Sequence, residues 1–351
     1  MKKKISFTYL YYLLVLGSLG IVGCRQSIPH DKRFHFPNVA QQQAAITDDA
    51  YFFEHITKLD MCIQMHETDT SQSRDGLLTQ YKQLLSSSVL DTFSRDQQQR
   101  LYNVMKELCD DIERYFPNLA LEQSIGLLNC NGNHYGKTAF YTRGYNIVMP
   151  PYYKEMSYDD LLKVMYHEWF HVWIRYTKQP LRDIYKLVQV ETLSPTEGID
   201  NVQLEKSAFI KQRELLNPDG LREVKYVDTL THKYYLPVLY SKYDELKPAL
   251  NDFFDYAHFQ LFEMTVLKAS ETYKTPQLDI ISENIGQDIS LFPQFFDEGY
   301  YNTDYNIHPD EILADNFAIL IMIKKNKALL NQLRPEGQAF LNAFEQCLLR
   351  L

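Results

Sequence analysis

The sequence predicts an α+β protein: a small mixed sheet beside one long helix, with a mostly helical remainder. Three observations lead there. Apolar residues recur at helical spacing over 49–120 and again after Pro309. Between Leu121 and Pro150 the pattern shortens to runs rich in apolar, β-branched or aromatic residues, broken by Gly and Asn. An unusually apolar helix follows, carrying two histidines and a glutamate in "YHEWFHVW", residues 166–173. A chain of 351 residues, 45% hydrophobic and 23% charged, can bury a large core.

At the N-terminus, "MKKKISFTYLYYLLVLGSLGIVGC" runs from lysines through an apolar stretch to small residues and Cys24. That order predicts a secretory signal over 1–23. Ile21, Val22, Gly23 and Cys24 resemble a lipobox, which implies cleavage before Cys24, lipid attachment there and a membrane-anchored mature protein. Arg25 rather than Asp follows, so in a Gram-negative envelope the outer membrane is expected. The competing expectation is an uncleaved span, Ile5 to Val22 being about long enough to cross a bilayer.

The polar stretch 24–48, with "QQQAA" inside it, predicts a tether. Helices are expected over "DDAYFFEHITKLDMCIQMHE", "GLLTQYKQLLSSSVL" and "SRDQQQRLYNVMKELCDDIERYF", the last capped by its serine and ending at Pro117. "SIGLLN", "KTAFYT" and "YNIVMP" are expected strands. Ser157 caps the long helix, with Asp160 at the capping-box position. Residues 180–220 are expected to be mostly helical around a "SPTEG" break, "EVKYVDTLTHKYYLPVLY" a hairpin and "FQLFEMTVL" a strand. Pro309 and Pro335 open the last two helices. Cys62, Cys109, Cys130 and Cys347 contain no CxxC and predict buried thiols or one bridge. A net charge of −9 without a basic stripe excludes nucleic acid as a partner.

Positions i and i+4 of a helix share a face, so His167 and His171 can offer imidazole nitrogens to one ion. Glu168 lies beside that ion without binding it, where a general base for water belongs. The neighbours Val164, Met165, Trp169, Phe170, Val172 and Trp173 are uncharged, as in a buried helix from which only ligands escape apolar packing. The plainer alternative is an aromatic core helix with two hydrogen-bonded histidines, in which burying these polar groups without a metal is costly.

This HExxH segment resembles the active-site helix of zincin metallopeptidases. Ile174 and Thr177 stand where the branch with a third histidine has Gly and His, so the resemblance is to the gluzincin branch. It implies Zn2+ and a glutamate from a second helix, supplied in "HPDEILADNFAIL" by Glu311, with Asp315 one turn later to hold the outer N–H of His167. Glu191 rivals Glu311 by spacing, but Pro195 occupies the position of its supporting acid. "YTRGYNIVMPP" looks like the zincin edge strand that pairs with an extended substrate. The pieces are similar to a group of bacterial envelope zinc peptidases, and imply a zincin-like domain over 121–351 with an inserted region at about 190–300, after a helical region over 49–120.

The expected function is therefore zinc-dependent hydrolysis of a peptide or protein substrate at the envelope. Candidate oxyanion donors are His232 and His308, with Tyr234, Tyr235 and Tyr305 beside them. "LLNPDG", ending at Asn217–Gly220, reads as a turn without chemistry. The alternatives are a zincin fold that keeps its metal without cleaving, and a glycan- or peptide-binding lipoprotein suggested by 14% aromatic residues.

Overall fold

The structure is a computed structural model that describes residues 31–69, 71–193, 212–220, 224–247, 249–250, 252–267, 277–280, 286–305 and 307–351, with backbone alone over 265–267 and 277–280. The signal segment, Cys24 and "SPTEG" lie outside the described residues. No described helix is long and apolar enough to cross a membrane.

Helix and sheet are mixed, in keeping with the α+β expectation. The first sheet contains β1 (Phe34–His35), β2 (Ile125–Asn129), β3 (Tyr141–Arg143) and β4 (Asn146–Met149), in the order β1-β2-β4-β3. β2 runs parallel to both β1 and β4, whereas β3 is an antiparallel edge strand on β4. The run "YTRGYNIVM" is thus a tight hairpin, turning at Gly144 with φ +55°.

The tether expected over 24–48 does not extend past Asp31. Phe34 and Ile46 are buried, and Val39–Ile46 is a helix whose cap pairs Asn38 reciprocally with Gln41. The buried Gln42 side chain donates to the Pro37 carbonyl and accepts from Asn129 N–H on β2. Glutamines that looked solvating therefore close a helix cap and a sheet end.

Helices Ala50–His55 and Lys58–Met65 divide at Thr57, which caps the second. Arg74–Ser88 and Arg95–Tyr115 follow as expected, Ser94 and Gln97 forming a capping box on the latter. At the long helix Tyr158–Tyr176, Ser157 accepts from Asp160 N–H, but its own hydroxyl donates to the Asp160 carboxylate, so the box is replaced by a side-chain pair.

The remainder is less helical than expected. β5 (Val190–Thr192), β6 (Val224–Asp228), β7 (Lys233–Ser241), β8 (Ala257–Leu267), β9 (Gln277–Ile280) and β10 (Gln287–Asp288) form a second, antiparallel sheet in the order β10-β8-β7-β6-β5, with β9 also on β8. Its own apolar cluster contains Leu193, Leu236, Val238, Tyr240, Phe262 and Met264. In the stretch expected to be helical, only Arg182–Leu187 forms a named helix among the described residues, and Val190–Thr192 pairs as a strand because its residues complete the edge beside β6. The hairpin and strand expectations for β6, β7 and β8 hold.

Pro309–Lys325 and Pro335–Arg350 complete the chain, each with proline in its first turn. Phe317 fixes the first of these against the long helix, stacking on Phe170 at 4.8 Å and Trp169 at 5.5 Å between ring centres. Cys62, Cys109, Cys130 and Cys347 are free and buried.

Candidate metal centre

Two helices build the site. His167 and His171 lie one turn apart on Tyr158–Tyr176, and Glu311 lies in the first turn of Pro309–Lys325. His308 caps that second helix, its Nδ1 accepting from Asp310 N–H at 3.1 Å, and Pro309 occupies the turn where a missing N–H costs nothing. The aromatic contact through Phe317 holds the two faces together.

Three ligand atoms converge. His171 Nε2 is 2.9 Å from His167 Nε2 and 3.0 Å from Glu311 Oε2, and His167 Nε2 is 3.2 Å from the same oxygen. Ligands at zinc–nitrogen and zinc–oxygen bond lengths in a tetrahedron stand about 3.3 Å apart, close to this triangle. His167 Nδ1 meets Asp315 Oδ1 at 2.8 Å, and Asp315 Oδ2 accepts from Thr303. The Nδ1–H bond leaves the Nε2 lone pair of neutral His167 facing inward. Two imidazoles and a carboxylate converging on one point are a donor set that can hold a cation. His167, His171 and Glu311 could hold a metal ion.

The electrostatics agree. Burial disfavours an imidazolium at His167, yet Asp315 and Glu311 outweigh it and raise its pKa well above the ordinary value. Burial favours the neutral acid at Glu311, but the two histidines hold it well below the usual carboxylate range. Protons thus gather on the imidazoles, the same nitrogens a metal ion would need free.

Glu168 is buried next to this triangle, and its Oε2 has no hydrogen-bond partner among the described residues. Burial, followed by the nearby Asp219 carboxylate, pushes its pKa up to about 8. Glu168, His167 and Glu311 face a cleft of about 320 Å³, walled by Phe140, Phe254 and Tyr305. Tyr305, which lines the cleft, is 40% exposed as a residue. Desolvation of its hydroxyl and the charges of Glu311, Asp219, Glu168 and Asp315 keep the phenol protonated far above its usual pKa.

The loop Asn217–Gly220, expected to be a plain turn, enters the site. Asn217 Nδ2 donates to Glu311 Oε1 at 2.8 Å, leaving Oε2 for the histidines. Asp219 Oδ1 accepts from the backbone N–H and hydroxyl of Thr142 at 2.7 and 2.5 Å. Gly220 packs so closely on the His308 ring that an added Cβ would lie 2.8 Å from it. Asn and Asp in "NPDG" carried an ordinary turn signal, and nothing local distinguished them as site residues.

Other candidates fall elsewhere. Glu191 is on β5, half exposed, 3.8 Å from Lys225. His232 is exposed in the β6–β7 turn with φ +57°. His308 serves as a helix cap, Tyr235 packs on Phe292, and the Lys225 ammonium lies over the Tyr234 ring. Of the expected donors, Tyr305 alone faces the cleft. Compared with known proteins, the chain matches no family model, no curated protein and no solved structure.

Proposed function

We propose that the chain is a zinc-dependent peptidase of zincin type, with His167, His171 and Glu311 as ligands and Glu168 as general base. One observation carries the reading: three inward-facing ligand atoms beside a buried carboxylate that has a free oxygen in a cleft. Zinc, when bound, supplies Lewis acidity towards a carbonyl and lowers the pKa of water.

The chain's own residues provide the rest. Glu168 takes a proton from the attacking water and hands it to the leaving amine. Tyr305 donates a hydrogen bond to the carbonyl oxygen as charge develops, taking the part expected of His232 or His308. Asp315 holds the His167 tautomer, and Phe140 and Phe254 give the cleft an apolar wall. A site at the bacterial envelope, anchored through lipid on Cys24 and acting on peptides or proteins, belongs to the same proposal and rests on "IVGC".

The test is elemental analysis of the mature chain with Glu311→Ala, His171→Ala and Glu191→Ala variants, followed by a peptide-library assay. Near-stoichiometric zinc lost in the first two and kept in the third, with cleavage abolished by Glu168→Gln, is the expected result. A protein that stays empty when offered zinc sinks the reading and favours a binding lipoprotein. Zinc without cleavage favours a non-catalytic zincin fold.

A further inference from the structure

A hydroxyl that the proposed hydrolysis does not use joins two of its parts. Thr303 is buried, and its Oγ1 sits between the Asp315 carboxylate and the Tyr305 backbone. It donates to Asp315 Oδ2 and accepts from Tyr305 N–H at 3.0 Å. A threonine hydroxyl carries a single hydrogen, so with that hydrogen on the carboxylate it is a lone pair that holds Tyr305. Asp315 keeps its other oxygen, Oδ1, on His167 Nδ1 at 2.8 Å. An unbroken path therefore runs from His167 through Asp315 and Thr303 to Tyr305, whose ring centre lies 6.2 Å from that of His167.

The loop around Thr303 has a second, independent anchor. Asn302, at φ +58°, donates from Nδ2 to Asn316 Oδ1 and to the Gly337 carbonyl, both at 3.0 Å. Asn316 is fully buried and in turn donates to the Tyr301 and Ile312 carbonyls. Asn302 and Thr303 thus dock on Asn316 and Asp315, neighbouring residues of the helix that carries Glu311. The Asn302 contacts hold the chain on that helix, which leaves the Thr303 hydroxyl to set direction. It turns the Asp315 carboxylate towards His167 and fixes where the Tyr305 backbone leaves the loop.

We propose that Thr303 is a positioning residue that couples His167 to Tyr305, so that one hydroxyl sets both the affinity for the metal and the placement of the phenol. This rests on the peptidase reading above.

The test compares the full mature chain with Thr303→Val, which keeps the shape and loses the hydroxyl, and Thr303→Ser, which keeps the hydroxyl. Thr303→Val should weaken zinc binding about tenfold in a competitive chelator titration and alter the visible spectrum of the cobalt-substituted protein, the scale for losing support of a ligand. Zinc-saturated Thr303→Val should cleave a library peptide with kcat lower by at least about tenfold and KM little changed. That loss should largely disappear in a Tyr305→Phe background, where no phenol hydroxyl is left to place. Thr303→Ser should restore both zinc affinity and kcat. Unchanged zinc affinity in Thr303→Val, a kcat loss as large in the Tyr305→Phe background as in wild type, or a serine variant as impaired as the valine one overturns the proposal. If Thr303→Val fails to fold, Thr303→Ala carries the same expectations. Wild type that takes up no zinc or cleaves no library peptide is a separate result and overturns the underlying reading.

Discussion

Removing the Asn217 side chain tests whether the loop sets the metal site. In the structure its amide is 2.8 Å from Glu311 Oε1, on a carboxylate that is 2% exposed. A hydrogen bond to a charged acceptor is worth about 1.5–3 kcal/mol, and loss of a group that orients a ligand typically costs about 10–100-fold in metal affinity. Asn217→Ala should therefore weaken zinc binding about 10–100-fold in a competitive chelator titration, and alter the visible spectrum of the cobalt-substituted protein. Asn217 Oδ1 also accepts from Asp219 N–H, so loop collapse must be separated from ligand orientation. Asp219→Ala breaks another of the loop's anchors, the bonds from Thr142, while leaving the Glu311 contact. Unchanged affinity in Asn217→Ala, or an equal loss in Asp219→Ala, would refute the argument.

Tyr305→Phe should lower kcat on any cleaved peptide by roughly 100-fold with KM little changed, since the hydroxyl acts on developing charge; an unaltered kcat removes Tyr305 from the reaction. Zinc binding at pH 7 should release about one proton or more per ion, because the carboxylates around His167 outweigh its burial and raise its pKa; calorimetry in buffers of different ionisation enthalpy would show no such release if the site were metal-ready without protons. Asp60, raised from 3.8 to about 7 by burial against the opposing bonds from Leu216 and Gln64, should make the fold lose up to about 4 kcal/mol as pH rises from about 4 to 7. The sign follows from the folded pKa being the higher one: the contribution is full below the unfolded value and gone above the folded value, and a flat difference between wild type and Asp60→Asn across that window contradicts it. Phe317→Ala should cost about 3–5 kcal/mol in denaturant unfolding, with zinc affinity falling as the ligand helices part; a loss below about 1 kcal/mol would mean the aromatic stack is not what joins them.

The residues legible in the sequence share one property: their meaning is carried by local spacing. His167 and His171 are one helical turn apart, as are Glu311 and Asp315, and helical geometry alone puts each pair on one face. Proline at 309 and serine at 94 and 157 marked helix starts for equally local reasons. What joins His171 to Glu311 across 140 positions is the packing of Phe317, which no spacing expresses. The second sheet was partly visible as the alternating runs of β7 and β8, whereas three-residue β5 is too short to show a period and is defined by its partner. The tether failed because composition was read without capping: glutamines that are polar filler in a coil are bond partners at a helix start, Gln41 accepting from Asn38 N–H and Gln42 donating to the Pro37 carbonyl.

The residues hidden from the sequence lie on a loop held from outside. Asn217 and Asp219 reach the site because Glu214 O accepts from Thr57, Leu216 N–H donates to Asp60, and Pro218 O accepts from Arg175. Two of these anchors come from the N-terminal helices, so residues expected to form a separate region define the geometry around Glu311. Asp60 shows what this contact requires: a fully buried carboxylate, kept with Leu216 N–H and Gln64 on its oxygens although burial drives its pKa up. A neutral acceptor could satisfy the same backbone N–H with less desolvation, yet Gln64 and Tyr81 extend this carboxylate into a buried chain of hydrogen bonds. Such a chain favours one loop position over others of similar packing, and the position it favours leaves Asn217 against Glu311 and Asp219 on Thr142 of β3.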